Sequence, residues 1–157
     1  MKAKKNISYS KIQTVVLLSL RLVIGYHFLF EGIDKLVSPN WSSAPFLLQS
    51  NWLFSDFFHF LASNETLLAF VDILNIWGQI LIGISLILGL YSFMAALFGA
   101  VLILSYYIAI PPFIESYSFI DKNLFELFGL IIIALFPTSN LFGLDFLIIK
   151  YRTQKRG

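Results

Sequence analysis

The sequence predicts an all-α protein: a membrane-embedded antiparallel four-helix bundle with short interfacial helices in its first outer loop. Three observations carry this expectation. The 157 residues are 58% hydrophobic and 13% charged, with a mean hydropathy of +0.80, whereas a soluble domain is about half apolar and about a quarter charged. Long apolar stretches are separated by short breaks rich in Pro, Ser and Asn. Basic residues gather at the ends: Lys2, Lys4, Lys5 and Lys11 precede the first apolar run, Lys150, Arg152, Lys155 and Arg156 follow the last, and positions 36–121 contain no Lys or Arg.

The first span is expected over 12–37. At 1.5 Å per residue it is long enough for a hydrocarbon core of about 30 Å. A basic tail before an apolar run also describes a signal peptide. This run is longer than a signal core, no small-x-small cleavage site follows it, and further spans come after, so it reads as a membrane span. Ser38-Pro39 ends the helix, because proline removes a donor and disfavours helix in the residue before it. Residues 40–66 are aromatic but broken by Ser, Asn, Asp and Pro. They read as one or two short helices on the membrane surface or folded over the bundle. Ser42 or Ser43 caps the first, with Pro45 in its opening turn. Trp41, Trp52, Phe54, Phe57, Phe58 and Phe60, with His59 among them, suit headgroup depth.

The second span is expected over 67–90, entered through Ser63, Asn64 and Thr66. The third follows the tight Tyr91-Ser92 connection over 93–110 and stops at Pro111-Pro112. The fourth is expected over 122–137, capped by Asp121 or Asn123, with Glu126 in its first turn where a carboxylate suits the helix dipole. Pro137 interrupts the apolar character, and a short interfacial helix is expected over 144–151. The whole chain is one transmembrane domain. Four crossings put both basic ends on one side, which the positive-inside rule makes cytoplasmic.

Ionisable residues inside a span are costly and mark functional sites by default. Arg21, His27, Glu31 and Lys35 share about a third of the first helix's circumference at 100° per residue. His27, Glu31 and Lys35 also follow an i, i+4, i+8 spacing. Asp72, Asn75 and Gln79 share one face of the second span. With the N-terminus inside, Glu31, Lys35, Asp72, Asn75 and Glu126 fall at similar depth in the outer half, with His27 somewhat deeper. His27, Glu31 and Asp72 are the candidate proton carriers, since histidine titrates near neutrality. Lys35, Asn75, Trp77, Gln79, Tyr106 and Glu126 are the candidate ligand contacts. Arg21 lies about 9 Å below His27 by helix rise and takes Asp145 as its expected structural ion-pair partner. The plain alternative is that Glu31–Lys35 and Arg21–Asp145 are only structural ion pairs that fix helix register, with Asp72 and Glu126 solvated at the headgroups. With no cysteine and two histidines, disulfides, thiol chemistry and cysteine-held metals are excluded, and no metal site is expected.

The run Arg21-x3-Gly25-x2-Phe28-x3-Gly32-x2-Lys35-Leu36 resembles the first helix of the DoxX/DoxD family. So does Ser43-Ala44-Pro45-Phe46-Leu47 in the outer loop. Asn75-x-Trp77-Gly78 and Leu81-Ile82-Gly83-x3-Ile87-Leu88-Gly89-Leu90 resemble its second helix, and Asn123-x2-Glu126 and Gly143-Leu144-Asp145 its last motifs. The chain departs from the pattern at Tyr91-Ser92-Phe93 and Asn140-Leu141, where family members carry arginine. The resemblance implies a four-helix protein of the bacterial inner (plasma) membrane linked to quinone redox chemistry. Some members are subunits of a thiosulfate:quinone oxidoreductase. It implies no covalent cofactor, a quinone as ligand, and room for a partner oxidoreductase subunit or a homo-oligomer beside the lipid bilayer. Nothing in the chain is built for nucleic acid. Three functions compete at this stage: a quinone-interacting membrane subunit, a non-catalytic scaffold for a partner oxidoreductase, and a small transporter. The transporter ranks last, because no inverted repeat or broken helix pair is present.

Overall fold

The computed structural model describes residues 9–115, 119–136, 138, 142–146, 148 and 151. The basic tail residues Lys2, Lys4, Lys5, Lys150, Arg152, Lys155 and Arg156 and the expected break at Pro137 lie outside the described residues. Among the described residues every element is helical: α1 Lys11–Val37, α2 Ala44–Leu48, α3 Ser55–Ser63, α4 Glu65–Leu88, α5 Ser92–Ala109, α6 Pro112–Glu115 and α7 Lys122–Leu135. Of the short helix expected over 144–151, residues 144–146, 148 and 151 are described and are helical.

The ends follow local chemistry. Ser10 opens α1 with a reciprocal box: Gln13 N–H donates to the Ser10 hydroxyl at 3.2 Å, and Ser10 N–H donates to Gln13 Oε1 at 2.9 Å. Asn64 caps α4 by accepting from Leu67 N–H at 3.1 Å, and Asp121 caps α7 by accepting from Leu124 N–H at 2.9 Å. Gly89 ends α4 in the left-handed region, φ 65°, where glycine carries no steric cost. Its N–H donates to Leu86 O at 3.3 Å and Leu90 N–H donates to Ser85 O at 3.0 Å, a Schellman closure.

Three helices, α1, α4 and α5, are long and apolar enough to cross a membrane. The expected fourth crossing is shorter: α7 has 14 residues, about 21 Å, and ends at Leu135, with Phe136 as its C-cap. It nonetheless packs on α5 and, less closely, on α1. One apolar core, built on Ile24, Phe28, Ile82, Leu86, Ala96 and Leu130, draws on α1, α4, α5 and α7. A second joins Leu47, Phe58 and Ala109, holding α2 and α3 against the end of α5. Outward faces stay apolar, with Val23, Phe70, Leu81 and Phe98 all more than half exposed, as lipid contact requires.

The closest packing joins α1 to α4 and α5 to α7. Helices α1 and α4 run antiparallel, since Gly32 faces Ile76 and Ile80 while Gly25 faces Leu86 and Ile87. At Gly83 the two backbones nearly touch: a Cβ there would lie 2.5 Å from Leu29 N and 2.8 Å from Gly25 O. Only glycine permits that approach.

Candidate functional site

At the end of the molecule formed by the C-terminal halves of α1 and α5 and the N-terminal halves of α4 and α7 lies a cavity of about 430 Å³. That is within the ~300–1,000 Å³ of small-molecule sites. His27, Glu31 and Lys35 line it from α1, Asn75 and Gln79 from α4, Tyr106 from α5 and Glu126 from α7. Phe28 and Ile103 close its floor, and the 41–49 segment contributes Trp41, Phe46 and Gln49 from outside. Seven of the expected site residues thus meet in one chamber.

Two polar arrangements face each other across it. On one side Lys35 Nζ donates to Glu31 Oε2 at 2.8 Å, one helical turn apart, and lies 5.8 Å from the Trp41 ring centroid. His27 Nε2 stands 3.6 Å from Glu126 Oε2 and bridges α1 to α7. On the other side the Tyr106 hydroxyl donates to Asn75 Oδ1 at 2.8 Å and accepts from Gln79 Nε2 at 3.3 Å. Asn75 and Gln79 are both buried. Gln79 Oε1 and Glu126 Oε1 are buried with no hydrogen-bond partner among the described residues.

Several expected residues sit elsewhere. Asp72 does not line the cavity; its Oδ1 accepts from the Ser43 N–H at 2.8 Å and from the Ser43 hydroxyl. Trp77 is 50% exposed on the outer face of α4. It lies two residues from Asn75, so roughly 200° round the helix. Arg21 is buried at the opposite end of the molecule, where Nη1 donates to the Thr138 hydroxyl at 3.2 Å and Nη2 to Phe142 O at 2.9 Å. The expected Arg21–Asp145 ion pair is not formed within 4 Å. Asp145 instead accepts from Tyr91 N–H at 3.0 Å, and its own N–H donates to Gly89 O at 3.0 Å. It caps α5, which has no capping side chain of its own. Lys122 and Trp41 were not expected in the cavity wall. Lys122 precedes Glu126 by one turn, and that i, i+4 spacing was the signal available for it.

Fold and cavity together define an all-helical, multi-pass membrane protein with a polar chamber at one end. The family model described as DoxX matches residues 16–111, more than half of the chain, and the chain belongs to the DoxX family. No curated protein and no solved structure matches it. The matched span runs from within α1 to the end of α5 and holds six of those seven chamber residues; Glu126 and Asp145 lie beyond it.

Proposed function

We propose that the protein is a quinone-interacting membrane subunit of an oxidoreductase system, with the chamber as its quinone site. The observation that carries this is the pair of buried acceptors, Gln79 Oε1 and Glu126 Oε1, beside a cavity with aromatic walls. A buried polar atom without a partner costs about 1–3 kcal/mol, and a ligand hydroxyl offers the missing donor. For the oxidised ligand, the Lys35 ammonium and the Asn75 amide offer donors to carbonyl oxygens. Phe28, Trp41 and Phe46 suit a flat ring, and the lipid-facing helix surfaces suit an apolar tail. The residues present therefore fit the group.

When bound, a quinone supplies two-electron, two-proton redox chemistry. The chain's own part is binding and proton handling. Glu126 and His27, 3.6 Å apart at the α1–α7 boundary, are the pair assigned to proton exchange with a bound ring. Glu31 and Lys35 carry a paired charge at the rim. Tyr106 orients Asn75 and Gln79. Electrons come from a bound substrate or a partner protein. In this reading α7 completes a four-helix bundle in a bacterial inner membrane, with both termini cytoplasmic.

Titration of the detergent-purified protein with a short-chain benzoquinone tests the proposal. Saturable binding is expected, weakened by Glu126→Gln and by Tyr106→Phe. No saturable binding, or binding indifferent to both substitutions, would sink it. A second reading, a membrane scaffold for a partner oxidoreductase, is favoured by the exposed aromatics of α3 and its N-cap, with Phe54, Phe57 and Phe60 more than half exposed. Mild detergent extraction separates the two: a scaffold co-purifies with its partner and binds no quinone.

A further inference from the structure

Asp72 has no basic side chain within 4 Å among the described residues. What it holds is the chain segment over the cavity. Its Oδ1 accepts both the Ser43 N–H and the Ser43 hydroxyl. Ser43 is the N-cap of α2, yet makes no capping bond within its own helix; its hydroxyl is committed to α4 instead. Hydrogen bonds to an ionised carboxylate are roughly twice as strong as neutral ones. Two of them on one oxygen fix both the position and the direction of the backbone at residue 43.

The chain beyond has little freedom. Pro45 fixes φ in the first turn of α2, and Leu47 is buried against the second core. The residues held in this way form the outer wall of the chamber. The Phe46 ring meets Tyr106 edge-on at 5.5 Å between centroids, and Trp41 stands over Lys35 Nζ. Both contacts fall on members of the polar cluster itself.

We infer that Asp72 is a positioning residue for the chamber: through Ser43 it clamps the 41–49 segment in place, and so sets Trp41 and Phe46 as the wall against which a ligand ring packs. This differs from the proton transfer expected of Asp72 on sequence grounds. The clamp rests on the Ser43 geometry alone; only the ring's identity as a quinone rests on the proposed function.

The test uses a Trp52→Phe/Trp77→Phe parent, which leaves Trp41 as its one tryptophan of the natural three. Asp72→Ala, which removes the acceptor of both Ser43 bonds where asparagine would keep an Oδ1, is expected to red-shift Trp41 emission and raise its quenching by acrylamide. Ser43→Ala, which keeps the backbone bond, is expected to give a smaller shift in the same direction. Circular dichroism reports whether helix content is kept. Benzoquinone binding by Asp72→Ala is expected to weaken about ten-fold, the size of one charge-assisted hydrogen bond. Unchanged Trp41 emission and quenching in Asp72→Ala overturns the clamp. If that variant does not fold, an unchanged Ser43→Ala overturns it. Should the parent bind no quinone while Asp72→Ala still releases Trp41, the quinone reading falls and the clamp stands. Should quinone bind both proteins equally with Trp41 unmoved, the clamp falls and the quinone reading stands.

Discussion

Gly78 and Gly83 lie on the same helix and call for opposite outcomes from the same substitution. A Cβ at Gly78 meets nothing within 4 Å, so Gly78→Ala only restores helix propensity and is expected to be neutral or to stabilise by up to about 1 kcal/mol. A Cβ at Gly83 meets the backbone of α1, which cannot rotate aside. Gly83→Ala is expected to cost about 1–3 kcal/mol. Thermal unfolding of both variants in one detergent checks the pair. Tyr106→Phe is a third case. It strands Asn75 Oδ1 and one Gln79 donor, with an expected cost of about 1–3 kcal/mol that the same melts would read. At this scale the sequence was informative where periodicity applies. His27, Glu31 and Lys35 share a face and a depth, and the chamber takes all three. Trp77 was misplaced although the same wheel turns it away from Asn75. Asp72 was beyond reach, because its partner Ser43 is 29 residues away and no local pattern links them.

Among the elements, α5 depends on a cap from outside itself. Asp145 accepts the Tyr91 N–H, so Asp145→Ala is expected to cost about 0.5–2 kcal/mol, the range for a lost N-cap. Faster hydrogen exchange confined to the first turn of α5 would identify that origin; protection lost evenly along the helix would contradict it. The helix boundaries were largely legible. The expected 12–37, 67–90 and 93–110 differ by one or two residues from Lys11–Val37, Glu65–Leu88 and Ser92–Ala109, because the entry at Asn64 and the stop at Pro111-Pro112 are readable in the sequence. The Ser10-x-x-Gln13 box is a local signal of the same kind. The fourth helix was the least legible element. The expected 122–137 runs two residues past Leu135, to Pro137, which lies outside the described residues.

On the scale of the whole molecule, four crossings require the 14 residues of α7 to complete one of them. Reporter fusions at each terminus are expected to land on the same side of the membrane, as four crossings require. Opposite sides would mean three crossings and would leave α7 lying against the bundle without passing through it. Either way, the pairs α1–α4 and α5–α7 are each tightly packed.

Those two pairs are joined at one end by the turn at Gly89. There Arg21 grips Phe142 and Thr138, and Gly143 comes so close that a Cβ on Gly89 would lie 2.8 Å from its Cα. At the other end the pairs meet across His27–Glu126 and Tyr106–Asn75, with the chamber between them. The two pairs are laid out like tweezers, with the fulcrum at the Gly89 turn, the cavity between the tips, and the shared core of Ile24, Phe28, Ile82, Leu86, Ala96 and Leu130 packed between the arms. The chain has no cysteine of its own, so two spin labels can be placed on the tips alone. Softening the fulcrum by Arg21→Met is expected to broaden the distance between them, although Arg21 touches nothing in the chamber.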